Sequence, residues 1–139
     1  MSWIYNGIVF TDEMIPEGAV GFIYEMTTII NGKAYGYIGK KNFFSNTKKK
    51  LSKKNLPTDK RKKKYVRVSK TSYHNYYSSN EVLKQAHKDG VRISRRMLRI
   101  CMTKTELSYW ETKYQFIHGV LESDQWLNAN ILGRFYKQK

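Results

Sequence analysis

The sequence predicts an α+β fold, in which a β-hairpin leads a small antiparallel or mixed central sheet flanked by helices. Three observations carry that expectation. Two strand-like runs flank Asn31-Gly32 between residues 20 and 41. Two capping-box patterns, at Ser78 and Thr103, precede helical segments, and a run over 91–102 with an apolar end lies between those helices. With 139 residues and 40% hydrophobic content, one core and one domain over 1–139 are expected.

Each element has its own signal. Trp3, Tyr5 and Val9 suit a short leading strand within residues 3–10, and Pro16-Glu17-Gly18 turns the chain toward the hairpin. Asn-Gly between two β-rich runs is the strongest short-range hairpin signal. Val20, Phe22, Tyr24 and Met26 alternate with Gly21, Ile23, Glu25 and Thr27, while Tyr35, Tyr37 and Gly39 alternate on the return arm. Tyr24 and Tyr37 therefore project toward one face, either as ordinary cross-strand packing or as a functional pair. Residues 42–64 read as an extended basic loop inserted in the domain, and Tyr65–Val68 as a short strand. Ser78-Ser79-Asn80-Glu81 has capping-box spacing, so a helix is expected over 79–88, ended by Asp89-Gly90. Val91–Met102 is expected as a central strand of the same sheet. Thr103-Lys104-Thr105-Glu106 repeats the cap before a helix over 104–121.

That last helix carries an apolar stripe of Leu107, Trp110, Tyr114, Ile117 and Leu121, with Glu111 on it or at its edge. A carboxylate there loses hydration unless something compensates. From the pattern alone, a strand arginine, exposure at the stripe's edge or a metal ion each satisfies it. His74, His87 and His118 lack the spacing of a zinc site, so a hard, oxygen-ligated ion is the better match.

Charge is distributed unevenly. The chain is +15 overall, and 14 of its 26 Lys and Arg fall between Lys40 and Lys70, where Asp59 is the only acid. The rest is nearly neutral. Lys40, Lys41, Lys48, Lys49, Lys50, Lys53, Lys54, Arg61, Lys62, Lys63, Lys64 and Lys70, interleaved with aromatics, form the footprint expected for nucleic acid. A binding module without catalysis shares that footprint. Cys101 is the only cysteine, and no apolar run is long enough to span a membrane or to serve as a signal peptide. A cytoplasmic protein without membrane association is expected.

The hairpin Phe22-Ile23-Tyr24 … Tyr37-Ile38-Gly39 resembles the signature of the GIY-YIG nucleases. Tyr-Ile-Gly matches letter for letter, whereas Phe22 stands in place of the first glycine and Gly21 lies one position earlier. Tyr76-Tyr77-Ser78-Ser79 and the helix from Glu106 to Gln115 resemble the small SegE-like branch of T-even-type phages. The resemblance spans most of residues 20–130. It implies a DNA endonuclease of the homing type that leaves a 5′-phosphate and a 3′-hydroxyl, acting on double-stranded DNA in the host cytoplasm if phage-encoded. It also implies one Mg²⁺ (or Mn²⁺) on Glu111, with Tyr24 as general base, directly or through a water, and Tyr37 positioning the nucleophile. Such a base needs a lowered phenol pKa. Asn128 matches the asparagine that closes the family pattern and braces the metal or tyrosine shell. The family's arginine has no match, because Thr47 occupies its place. Arg67 is the preferred substitute, ahead of Arg61 and beside Lys40 and Lys41, and His74 corresponds to a histidine near that arginine. Specificity is expected either to be low or to come from the basic segment or from a homodimer.

Overall fold

A computed structural model describes residues 2–50 and 64–137, with side chains outside 46–50 and 64–69. Its strands are β1 (Trp3–Tyr5), β2 (Ile8–Val9), β3 (Gly21–Ile30), β4 (Lys33–Asn42), β5 (Phe44–Lys50), β6 (Lys64–Lys70), β7 (Ile93–Cys101), β8 (Asn130–Ile131) and β9 (Phe135–Tyr136). Its helices are α1 (Glu81–Lys88) and α2 (Lys104–Ile117). Five strands form one sheet in the order β2-β1-β7-β3-β4. The sheet is mixed, since β1 runs parallel to β7 while the other neighbours are antiparallel. No helix among the described residues is long and apolar enough to cross a membrane.

The hairpin forms as its sequence predicts, with Asn31 and Gly32 both at positive φ and ten residue pairs in unbroken register. Strand β7 is central, between β1 and β3. The sheet is covered on both faces. On the first, Phe22, Tyr24, Met26, Ile93 and Met97 pack with Trp3, Phe43, Tyr73 and with Leu83 and Ala86 of α1. On the second, Ile23, Ile38 and Cys101 pack with Leu107, Val120 and Ile131. Phe22 explains the departure from Gly-Ile-Tyr. Its fully buried ring lies 4.9 Å from both Trp3 and Phe43. The close approach falls to Gly21, where a Cβ would sit 2.4 Å from the Lys41 carbonyl oxygen.

Three local expectations need correction. The basic segment is not simply a loop, because β5 and β6 pair as a separate antiparallel ribbon. Asn80, not Ser78, caps α1, its side chain accepting from the Val82 and Leu83 amides. Ser78 has φ +72° and cannot start the helix. Helix α2 ends at Ile117 rather than at 121, and Gln115, not the exposed Ile117, is buried on its sheet-facing side. Thr103 does cap α2, accepting from the Glu106 amide, while Glu106 reaches back to the Met102 amide.

Truncating Phe22 removes the ring that joins Trp3, Phe43 and Tyr73. The variant Phe22→Ala is expected to lose about 3–5 kcal/mol of stability in urea denaturation. A loss below about 1 kcal/mol would contradict the packing described.

Candidate active site

Strand register sets the floor of the site. Tyr24 lies opposite Gly39 and Met26 opposite Tyr37, so both phenols occupy the first face, one diagonal step apart. Their rings stack at 6.2 Å. Gly39 makes the stack possible: a Cβ there would lie 2.6 Å from the Tyr24 hydroxyl and 3.0 Å from Tyr37 Cε1. The glycine of Tyr-Ile-Gly is thus a steric requirement of the tyrosine pair.

Tyr24 is 1% exposed, and its hydroxyl donates to Ser78 Oγ and meets the Tyr76 hydroxyl, both at 3.3 Å. The sequence marks Ser78 only as a cap and Tyr76 only within the Tyr76-Tyr77-Ser78-Ser79 resemblance, and gives no sign that both are partners of Tyr24. The left-handed backbone of Ser78 costs about 1–3 kcal/mol, which the surrounding contacts must offset. Arg95 supplies some of them. Buried between Trp3 and Tyr77, at 4.7 and 4.2 Å from their rings, it donates to the carbonyls of His74 and Tyr76. The alternation of Ile93, Arg95 and Met97 on one face of β7 is the sequence signal for its inward position.

Glu111 reaches the site from the opposite side of the sheet, on α2. Burial raises its carboxyl above the usual range, and the Lys40 ammonium and backbone amide pull it back down. No arginine pairs with it among the described residues. Arg96 instead pairs with Glu25 at 2.6 Å, and Arg99 lies 3.8 Å from the Trp110 ring. Tyr37 and Glu111 line one cleft of about 440 Å³ with Ser79, Glu81 and Asn128. Glu81, expected only as a cap, adds a second carboxylate to that wall. Tyr24 lies outside the cleft lining, behind Tyr37. Lys40 and Lys41 line a second cleft, of about 710 Å³, with Tyr76, Phe44, Ser45 and Lys104. Lys41 sits 4.6 Å over the Tyr76 ring, and Lys40 donates to Ser108 Oγ at 3.1 Å.

Asn128 is buried and braces the strand that carries Tyr37. Its amide accepts from the Ile38 N–H at 3.1 Å and donates to the Ile38 carbonyl at 2.8 Å. Both ends of its amide are engaged by Ile38, and it also lines the cleft. His74 lines neither of these two clefts. Its ring contacts Asp12 at 2.7 Å, on an exposed cluster where Lys70 and Tyr73 also bond Asp12 and hold that carboxyl well below its usual range. Lys70 is thereby committed to Asp12 instead of standing free for phosphate. The backbone of Arg67 pairs directly with that of Thr47. Lys48, Lys49, Lys50, Lys64 and Arg67 belong to ribbon strands of which only the backbone is described. Lys53, Lys54, Arg61, Lys62 and Lys63 lie outside the described residues.

The model of the family described as "Putative endonuclease segE, GIY-YIG domain" matches residues 3–131. The chain belongs to the GIY-YIG endonucleases, in their SegE-like branch. No curated protein and no solved structure matches it. A GIY-YIG endonuclease acts on nucleic acid, and the family is generally dependent on a divalent metal. The residues present fit such an ion. Glu111 is a half-buried carboxylate with no arginine partner among the described side chains, in a cleft with hydroxyl and amide groups and a second carboxylate at Glu81. No group of three or more His, Cys, Asp and Glu that could hold a metal ion occurs among the described residues.

The lowered phenol expected of a tyrosine base in this GIY-YIG domain does not arise from the packing of the described residues. Burial, with Tyr76 adding to it, raises Tyr24 well above the ordinary tyrosine range, and burial raises Tyr37 against the pull of the Ser79 hydroxyl. Both phenols are neutral hydrogen-bonding groups at physiological pH. A raised folded-state pKa means that the folded chain keeps protons the unfolded chain gives up near pH ~10. Their stabilisation is complete below about pH 10 and is lost as pH climbs beyond it. Urea midpoints should therefore fall above about pH 10, and Tyr24→Phe, which cannot ionise, should flatten that fall. An equally steep fall in the variant would show that Tyr24 ionises freely in the folded state.

Proposed function

We propose that the chain is a metal-dependent endonuclease that hydrolyses phosphodiester bonds of double-stranded DNA, leaving a 5′-phosphate and a 3′-hydroxyl. The observation that carries this reading is the convergence of Tyr37 and Glu111, from opposite faces of the sheet, on one cleft at the edge of β4. A module that only binds has no need of a desolvated carboxylate there. Glu111 would hold Mg²⁺ or Mn²⁺, with Glu81 within the same cleft. Bound there, the ion would polarise a non-bridging phosphate oxygen and favour departure of the 3′ oxygen.

The remaining work falls to side chains of the chain itself. Tyr37, as a neutral phenol facing the cleft, orients the attacking water by hydrogen bonding instead of ionising as a base. Tyr24 acts one layer behind, its ring and hydroxyl fixing Tyr37 between Gly39, Tyr76 and Ser78. Lys40 and Lys41 take the role of the missing family arginine. They follow directly on Tyr-Ile-Gly in β4 and line the basic cleft, with the Lys40 ammonium also acting on Glu111, and their charge would neutralise what builds on phosphate in the transition state. Net hydrolysis adds one water across the P–O3′ bond. A homing role, and any pairing of two copies for double-strand scission, would build on this core.

Glu111→Gln keeps the shape and removes the charge. With supercoiled plasmid, wild type should convert the substrate to nicked or linear forms in Mg²⁺ and not in EDTA. The variant should cleave at least ~10³-fold more slowly, since the polarisation it forfeits amounts to several kcal/mol. Its binding at low salt should persist, because the basic residues are untouched. Scission by the variant at the wild-type rate would remove Glu111 from the chemistry. Tight binding by wild type without Mg²⁺-dependent scission would leave a nucleic-acid binder in place of a nuclease.

A further inference from the structure

We propose that Leu132, at the tip of the β8–β9 hairpin, is a wedge that inserts between base pairs of the duplex lying across the cleft and opens it there for scission. The inference rests on the DNA-directed reading above and adds how the substrate is held. Its basis is a comparison inside the chain. Three of its hairpins turn through a pair of residues that both have positive φ: Asn6-Gly7 between β1 and β2, Asn31-Gly32 between β3 and β4, and Leu132-Gly133 between β8 and β9. Asparagine suits the first position because its short polar side chain tolerates the left-handed region, which leucine enters only at a steric cost. Leu132 has φ +61°. Burial does not offset that cost, since the residue is 63% exposed. A strained, apolar and exposed residue in place of asparagine has no account in the stability of the turn.

Position supplies the account. Leu132 and Gly133 line the cleft that holds Tyr37, Glu111 and Glu81. The tip is fixed there, as a wedge must be. Ile131, directly before it, is buried in the second core, and the Arg134 amide closes the turn on the Ile131 carbonyl at 3.1 Å. The Gly133 amide donates to Asn130 Oδ1 at 2.8 Å, and the Tyr136 hydroxyl donates to the Gly133 carbonyl at 3.0 Å. Phe135 packs edge-on against Phe116 of α2, the helix that carries Glu111, with ring centroids 5.7 Å apart. Arg134, exposed beside the leucine, offers a cation to a neighbouring phosphate. Leucine is among the side chains that enter a base step from the minor groove, partly unstacking it and kinking the duplex. A kink at this point bends the sugar-phosphate backbone out of its regular path, toward the proposed metal site at the rim of β4.

Closed circular plasmid is relaxed by a metal-independent type IB topoisomerase in EDTA with wild-type protein bound, and its topoisomers are separated after the protein is removed. Unwinding at each wedge should leave the plasmid negatively supercoiled. At protein concentrations giving equal occupancy by gel shift, Leu132→Asn should lose at least roughly half of that shift, and Leu132→Phe, which keeps an apolar wedge, should retain it. Urea denaturation separates a wedge from a packing role. Leu132→Asn restores the turn used elsewhere in the chain and should have a midpoint equal to or above that of wild type. The proposal is overturned if wild-type protein leaves the linking number unchanged, if Leu132→Asn matches wild type, if Leu132→Phe behaves as Leu132→Asn does, or if Leu132→Asn lowers the urea midpoint. Plasmid scission in Mg²⁺ is scored in parallel. Metal-dependent cleavage without leucine-dependent unwinding removes the wedge and leaves the nuclease standing, whereas leucine-dependent unwinding without cleavage does the reverse.

Discussion

The outer edge of β4 is the constraint on which the rest of the structure depends. An edge strand presents a row of unpaired N–H and C=O groups, and burying them unsatisfied costs about 1–3 kcal/mol each. In this chain the row is met group by group. The Gly36 amide bonds the Gln125 carbonyl and its carbonyl receives the Leu127 amide, both at 2.8 Å. Ile38 is gripped by the Asn128 side chain at N–H and C=O, with Gln115 of α2 adding a third bond at 3.0 Å. Beyond them, the Lys40 backbone and ammonium lower the Glu111 carboxyl against its burial. Two successive outward-facing positions are thus closed by the C-terminal segment and by α2.

That closure explains why the site lies where it does. The tyrosines belong to the first face of the sheet and α2 to the second, so Tyr37 and Glu111 can meet only around the rim of β4. Bringing α2 to the rim desolvates Glu111, and the Lys40 backbone and ammonium limit the cost, with no arginine pairing among the described side chains. Under the reading proposed above, a cation would complete that compensation. Trp126 completes the arrangement by packing on Gly36, where a Cβ would come within 2.9 Å of its ring. Both non-turn glycines of β4 are therefore explained by neighbours: one by a tryptophan, the other by the phenol pair.

Much of this could be read from the sequence where local signals agree with tertiary ones. Asn31-Gly32, the alternation along β3 and the Thr103 cap each fix an element with short-range chemistry, and the fold followed. The tyrosine pair was legible because strand period and hairpin register leave no choice of face. Other features depend on contacts distant in sequence. Ser78 has the letters of a capping box, but Tyr24 and the backbone turn claim its hydroxyl, and Asn80 becomes the cap. His74 stands beside the right aromatics, yet Asp12, more than sixty residues earlier, holds it off the site. Thr47 and Arg67 are twenty residues apart in sequence and adjacent in the ribbon, a pairing that lysine-rich composition obscures because it resembles that of a solvated loop. Burial likewise works against the expected acidity of the phenols, since desolvation is a property of the packed state alone.

Amide hydrogen exchange at Ile38, followed by NMR, tests the edge closure most directly. If Asn128 and α2 complete the strand, this outward-facing amide exchanges only through global unfolding, with protection equal to that of interior positions in β3 and β7. Exchange at the rate of an exposed edge would mean that β4 is open, and that nothing holds Tyr37 and Glu111 to a common cleft.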